Sequence, residues 1–342
     1  MDKKLKVGLI GANVNNGWSP RAHIPALLGL KSVDLVAVCT AHPETARESA
    51  EEFGVPLAFS NHHEMLQREE IDAIGVSVRV PKHLGLTLDV LEAGKHVYTE
   101  WPLGANLAEA EQMAGLAQEK ELLTMVGLQG RCAAELLRLK ELIDEGYVGE
   151  VLTVNMTSFT DGVLSRTSDR IWQKDVELGA NTLTIAFGHV IDALCMCLGE
   201  FSEVSAEVKT RVPQWIDSDT GRMVDVTSPD NILVNGTLQS GGLVSVHVSA
   251  VPWHSSGYRL LIYGRDGTLL LERNDYPHLG EMQLRGAQGI DQQLEDLPIP
   301  SRLMSEVGTV PAGPPTNVAQ MWQRFANGIH SISRVEPDFE TA

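Results

Sequence analysis

The sequence is poor in cysteine, in aromatic residues and in positive charge, and it has no long apolar run. Its 342 residues include four cysteines, Cys39, Cys132, Cys195 and Cys197, with no CxxC pair. Cys195 and Cys197 sit two apart in a stretch with helical period and point to different faces, so neither a disulfide framework nor a zinc site is expected. Lysine and arginine total 27 against 45 acidic residues, a formal charge of −18 shared by both halves. Nucleic-acid backbones and anionic membrane surfaces are held by clustered Lys and Arg, so direct binding to either is not expected. Nowhere do about 18 apolar residues occur together. The run in MDKKLKVGLIGAN breaks at Asn13, short of a signal-peptide core, which points to the cytoplasm.

What is there is the composition of an ordinary globular protein: 43% hydrophobic, 21% charged, with 31 Gly and 16 Pro. The length exceeds what one core usually serves, so two domains are expected. Up to residue 126, short apolar runs alternate with helix-period segments, the pattern of βαβ units and a parallel sheet. Strands are predicted at Lys6–Gly11, Val33–Thr40, Ala73–Val78, His96–Thr99 and Leu123–Val126. Between them helices are predicted from Ser19-Pro20, shortened or kinked at Pro25, and over Pro43–Phe53, His83–Ala93 and Asn106–Lys120, with another at Leu136–Glu145. From Val151 the period becomes alternating: Val151–Phe159, Val204–Val212, Asn231–Gln239, Leu243–Val251 and Arg259–Glu272, the last turning at Asp266-Gly267. One apolar helix, Thr182–Leu198, interrupts this second, antiparallel domain. The predicted division is 1–126, 127–316 and a closing helix and tail over 317–342, with Val310–Pro315 as a linker before a helix at Val318–Ile332.

A dinucleotide fold needs a tight turn after its first strand, where backbone approaches a pyrophosphate at a helix N-terminus. Gly8 and Gly11 fit that turn. The middle glycine of GxGxxG is Asn13, a residue that tolerates left-handed backbone, and the next glycine is delayed to Gly17. The second strand ends in Thr40-Ala41-His42, where an acidic residue usually meets the ribose 2′-hydroxyl. That neutral site accepts NAD or NADP and tilts the expectation toward NADP, with His42 and Arg47 in reach of a 2′-phosphate. Arg47 fits a solvated helix face better than a phosphate contact.

The segments GLIGAN, His23-Ile24-Pro25-Ala26-Leu27, VSVRVPKH, GKHVYTEWPLG, LQGR and GHVIDAL occur in the order and approximate spacing of the Gfo/Idh/MocA family (glucose-fructose oxidoreductase, inositol dehydrogenase, rhizopine catabolism), which the chain resembles over most of its length. Gly17-Trp18, the EW of Glu100-Trp101, LQGR and the FGH and ID pieces are similar to the branch of the yeast galactose-regulon repressor. The resemblance implies an α/β Rossmann domain binding NAD(P), followed by an α+β domain whose open, mainly antiparallel sheet presents a sugar or polyol site and joins copies into a homodimer or homotetramer. It assigns the cofactor to Gly8, Gly11, Asn13, Asn16, Trp18, Thr40, His42, Val80, His83, Glu100, Trp101, Pro102 and Gln129. Family chains continue after a PDF motif, so the ending Pro337-Asp338-Phe339-Glu340-Thr341-Ala342 reads as truncated.

Two departures bear on chemistry. The family's EKP lysine is Trp101, and its Asp and His four residues apart map onto Ile185 and His189. Oxidising a secondary alcohol needs a group to take the hydroxyl proton and a donor to steady the alkoxide. His189 is the candidate base, with Lys174, Arg79 and Arg131 as candidate donors and Asp192 as a support for His189. By itself, His189 in an apolar helix also fits a core histidine, and Trp101 fits packing as well as cofactor contact. No metal site is expected: His62-His63 are neighbours whose side chains should diverge on a helix face. The sequence thus points to an NAD(P)-dependent sugar or polyol oxidoreductase. The alternative is a catalytically silent, cofactor-binding regulator acting through a protein partner.

Overall fold

The computed structural model describes residues 4–304 and 309–342. The chain divides into two compact units, Met1–Gln129 with Glu306–Ala342, and Gly130–Ser305. In chain order the first unit begins β1 (Leu5–Ile10), α1 (Ile24–Gly29), β2 (Val33–Cys39), α2 (Pro43–Phe53), β3 (Leu57–Phe59), α3 (His62–Leu66) and β4 (Ala73–Val76). It continues with α4 (His83–Glu92), β5 (His96–Thr99), α5 (Leu107–Glu119) and β6 (Thr124–Val126). The second unit carries α6 (Ala134–Asp144), β7 (Val151–Asp161), β8 (Ser165–Arg166), α7 (Gly188–Leu198), β9 (Phe201–Lys209), β10 (Gln214–Asp217) and β11 (Met223–Asp225). Then follow β12 (Asn231–Leu238), β13 (Leu243–Val251), β14 (Gly257–Gly264), β15 (Gly267–Arg273), β16 (Gln283–Gln288) and β17 (Glu295–Asp296). The closing helix α8 (Pro314–Ser331) returns to the first unit.

The first unit is a six-stranded parallel sheet in the order β3-β2-β1-β4-β5-β6. β4 is buried along its whole length, as expected of a strand covered on both faces. The strand order reverses between β1 and β4, and in such sheets ligands lie beyond the carboxyl ends of the strands at that point. The core joins Ile10, Ile74, Val76 and Val97 to Leu91, Met113 and, from the chain end, Phe339. Asn106 caps α5 by accepting from the Glu109 amide, while Glu109 returns a carboxylate oxygen to the Ala105 amide.

The second unit is an eight-stranded sheet, β17-β16-β15-β14-β7-β13-β12-β9. It is mixed and mainly antiparallel, with β7 and β13 pairing in parallel. The face that carries Val154, Met156, Val246 and Leu260 packs on α6 and α7 through Leu136, Leu139, Val190 and Leu194. β9, at the edge of this sheet, is exposed along almost its whole length. A small sheet, β11-β10-β8, stands beside it.

Several expectations shift. Gly127–Gln129 and residues from 309 onward belong to the first unit, so neither the boundary at 126 nor the one at 316 coincides with the structural division. The reason is apolar: Trp322 and Phe325 of α8 are fully buried, and Trp322 packs on His23 and Tyr98. The predicted linker Val310–Pro315 is partly helix, because Pro314 and Pro315 occupy the first turn, where a missing N–H costs nothing. Trp18, not Ser19, holds the N-cap position before the wide turn Ser19–His23, and α1 restarts at Ile24 with Pro25 in its first turn. The predicted helix 182–198 is wound wider over Thr182–Phe187 and becomes regular only from Gly188. The short elements β3, α3, β8, β10, β11, β16 and β17 were not predicted.

Candidate functional site

In the first unit the candidate cofactor residues gather at the carboxyl ends of β1, β2, β4 and β5. Gly11 leaves β1 with φ +87°, and a Cβ placed there would lie 2.0 Å from the Ser77 carbonyl oxygen, so only glycine fits between the two strand ends. Asn13, offered by the sequence as a left-handed position, does not adopt that backbone. Its Oδ1 accepts from the Asn15 amide at 2.9 Å, and the Val14 amide donates to Ser49 Oγ at 3.0 Å, so side-chain bonds close the turn that a middle glycine would otherwise make. Asn16 and Gly17 are exposed beyond it. Gly8, inside β1, faces Met65 and Ile74. It therefore packs the sheet rather than lining the turn.

Thr40 stands at the end of β2 with its hydroxyl bonded to the His42 carbonyl and to Thr45 Oγ1. Arg47 donates to the Pro43 carbonyl at 3.3 Å. His42 contributes its backbone to the start of α2.

At the end of β5, Glu100 precedes a cis Trp101-Pro102 bond. Its carboxylate is buried and already engaged: His23 Nε2 lies 2.6 Å from one oxygen, and Gln129 Nε2 donates to both, the nearer at 2.9 Å. The indole N–H of Trp322 donates to His23 Nδ1 at 2.9 Å. An indole can only donate, so a neutral His23 carries its hydrogen on Nε2, aimed at Glu100. Glu100 and Gln129, both expected to meet the cofactor, are thus held side chain to side chain. His83 is buried with Nδ1 2.8 Å from the Pro102 carbonyl and Nε2 3.0 Å from that of Val78, tying the end of β5 to the chain after β4. Burial pushes its pKa below the ordinary value, against the pull of those carbonyls. Val80 is buried, and Arg79 is exposed before the turn Val80–Lys82.

A nicotinamide dinucleotide fits this edge on two observations. The Gly11–Ser77 approach leaves room only for backbone, and the Trp18 indole N–H and the Ser77 hydroxyl are each buried with no hydrogen-bond partner among the described residues. Residues that would hold it are Gly11, Asn13, Trp18, Ser77 and Trp101. Ser77 was not foreseen, since a lone serine after a strand carries no sequence signal.

In the second unit α7 places His189 on its buried side. Its ring stacks on His278 at 3.7 Å between centroids and 21° between planes, and Tyr276 continues the column at 5.6 Å from His278. The Tyr276 hydroxyl shares a 2.9 Å hydrogen bond with Thr160 on β7. Desolvation pushes the His189 pKa down to about 3, and burial with the neighbouring His189 and Arg273 pushes His278 well below its ordinary value. Both rings are therefore neutral at neutral pH. His278, in the turn after β15, was missed because one histidine behind a proline forms no motif.

Asp192 does not support His189 as expected. Although three residues along the helix, its carboxylate is turned to Arg131, whose Nε and Nη2 donate to it at 2.7–3.1 Å. Burial pushes the Asp192 pKa up and Arg131 pulls it down, with burial the larger effect. Arg131 thus engages Asp192 through Nε and Nη2. Lys174 closes the short turn Ile171–Lys174, its carbonyl accepting from the Thr227 and Ser228 amides. Ile185 lies in the wide turn before α7. None of the four cysteines is in a disulfide, and burial raises the pKa of Cys39 to about 11 and of Cys195 and Cys197 to about 12. No helix among the described residues is long and apolar enough to cross a membrane.

A strand-switch crevice with a glycine turn, followed by a sheet unit carrying a buried histidine, defines a two-unit, Rossmann-type nucleotide-binding protein. Residues 5–128 match the oxidoreductase family with an NAD-binding Rossmann fold, and residues 135–273 match the Gal80p C-terminal domain. The chain is 32% identical over 289 residues to the dehydrogenase aclE of Aspergillus oryzae, covering 80% of this chain and 78% of that protein. It is 28% identical over 257 residues to the galactose/lactose metabolism regulatory protein GAL80 of Kluyveromyces lactis, covering 70% of this chain and 56% of the regulator. A solved levoglucosan dehydrogenase in complex with NADH and levoglucosan shares the fold, with a TM-score of 0.84 and 22% identity, covering 99% of this chain and 93% of that one. The chain belongs to the Gfo/Idh/MocA oxidoreductase family, in a Gal80-like branch.

Proposed function

We propose that the protein is an NAD(P)-dependent oxidoreductase acting on a sugar, polyol or sugar derivative. The observation that carries this reading is His189, an imidazole kept neutral by burial and stacked on a second neutral imidazole. A neutral ring is the form that can take the hydroxyl proton as an alcohol carbon gives up hydride and its oxygen becomes a carbonyl. A bound nicotinamide supplies the hydride acceptor. Gly11, Asn13, Trp18 and Ser77 hold the dinucleotide in this reading, and Trp101 offers an aromatic wall where relatives of the family have lysine. The neutral Thr40-Ala41-His42 end of β2 suits NADP as well as NAD. The open sheet face, with Leu243 about three-fifths and Leu233 about two-fifths exposed, suits assembly of copies.

Two observations favour a second reading, a cofactor-binding regulator: tryptophan replaces the lysine, and Arg131 is locked to Asp192. A single-turnover assay separates the two, with stoichiometric protein, NAD⁺ or NADP⁺, and a panel of sugars and polyols, followed by reduced-nicotinamide absorbance. The enzyme gives a signal that His189→Ala abolishes while cofactor quenching of tryptophan fluorescence persists. Silence across the panel with quenching intact supports the regulator, and unchanged turnover in His189→Ala overturns the role of that residue.

A further inference from the structure

We propose that His62, His63 and Asp89 form a site for a divalent transition metal of the zinc class that joins α3 to α4. The two histidines are consecutive, so their side chains were expected to diverge. They open the first turn of α3 instead, where Asn61 accepts from the His63 amide at 3.0 Å and sets the backbone. Their rings lie 4.0 Å apart between centroids, tilted by 37°. Asp89, six residues into α4, reaches both: its Oδ2 is 2.8 Å from His62 Nε2 and 3.9 Å from His63 Nε2. One donor atom from each of the three lies within 4.8 Å of the others.

A tetrahedral ion with nitrogen and oxygen ligands at about 2.0–2.2 Å needs those ligands about 3.3–3.6 Å apart. The two spacings to Asp89 lie either side of that range, so rotations of the exposed His63 and half-exposed Asp89 side chains complete the set. Two imidazoles with one carboxylate suit zinc, nickel or copper over magnesium and calcium, which prefer all-oxygen sets. The partly open position leaves a fourth place for water. Without metal, the His62–Asp89 hydrogen bond satisfies the same atoms, so the ion displaces a proton-mediated contact rather than filling a vacant cage. None of the three residues belongs to the cofactor or histidine sets described above.

The test uses the full chain without an affinity tag, stripped with chelator and titrated with ZnCl₂ at neutral pH by calorimetry, with thermal melts run in parallel. One ion per chain is expected, with a raised melting temperature that MgCl₂ does not reproduce. His63→Ala and Asp89→Asn should each weaken binding at least about tenfold while leaving the metal-free melt close to that of the parent. Absence of binding heat overturns the site. So does either variant binding zinc as tightly as the parent, which would place the ion on other histidines.

Discussion

Trp322 donates its indole N–H to Nδ1 of His23, 299 positions earlier in the chain, and so decides which nitrogen of His23 faces Glu100. The closing helix thereby reaches the end of β5 through one buried chain of hydrogen bonds, with Gln129 completing the shell of the carboxylate. The buried Glu100 carboxyl stays fixed only if each link is present.

Trp322→Phe keeps an aromatic ring but leaves His23 Nδ1 buried without its donor. The expected loss is about 2–3 kcal/mol in urea unfolding, the cost of an unmet buried polar atom. A loss below about 0.5 kcal/mol, the range of surface changes, would show that the bond does not matter to the fold.

Two glycines should respond differently to alanine. Gly11→Ala puts a Cβ into the Ser77 carbonyl at positive φ, so a loss of roughly 3 kcal/mol or more is expected, together with loss of cofactor quenching. Gly17→Ala meets open space and bears only the cost of its φ of +96°, about 1–2 kcal/mol. Equal melting temperatures for the two variants would contradict the close approach of β1 and β4.

The Arg131–Asp192 pair is nearly buried, with both side chains under one-fifth exposed. Asp192→Asn or Arg131→Ala alone should destabilise by about 3–5 kcal/mol, because each leaves a buried charge without its partner. Arg131→Met with Asp192→Leu should recover most of that. A double variant as unstable as the sum of the singles would argue against pairing as the source of the loss.

His189 titrates at about 3 when folded, against about 6.5 in the unfolded chain. Above the unfolded value neither state holds the proton, and the stabilisation is complete. As pH falls below it, the unfolded chain takes up a proton the folded one refuses, so stability drops, by about 2 kcal/mol for this residue at pH 5. His278 adds a drop of the same sign. Melting curves from pH 7.5 to 5.5 should therefore fall less steeply for His189→Gln than for the parent. Parallel curves would show that the ring is not buried as a neutral group.

Much of the first unit was legible because its signals are local. Pro43–Phe53 and His96–Thr99 keep the predicted ends, since a proline start, a glycine stop and a short β-branched run depend on neighbouring residues alone. Gly11, His83 and His189 were likewise singled out by spacing and motif. His278, Ser77, Trp322 and the role of Asp192 were not, because each acts through a residue distant in sequence that no periodicity connects to it.

The amino-acid order by itself determined the alternation of strands and helices, the change of period near Val151, and the glycine turn with its neutral Thr40 end, all set by backbone preference and the side on which apolar residues recur. Tertiary structure alone decided that α8 closes the first unit, that Arg131 takes Asp192 away from His189, that His189 stacks on His278, and that His62 and His63 converge on Asp89. Those outcomes depend on which faces pack together, and burial then sets the protonation and partners of the groups trapped there.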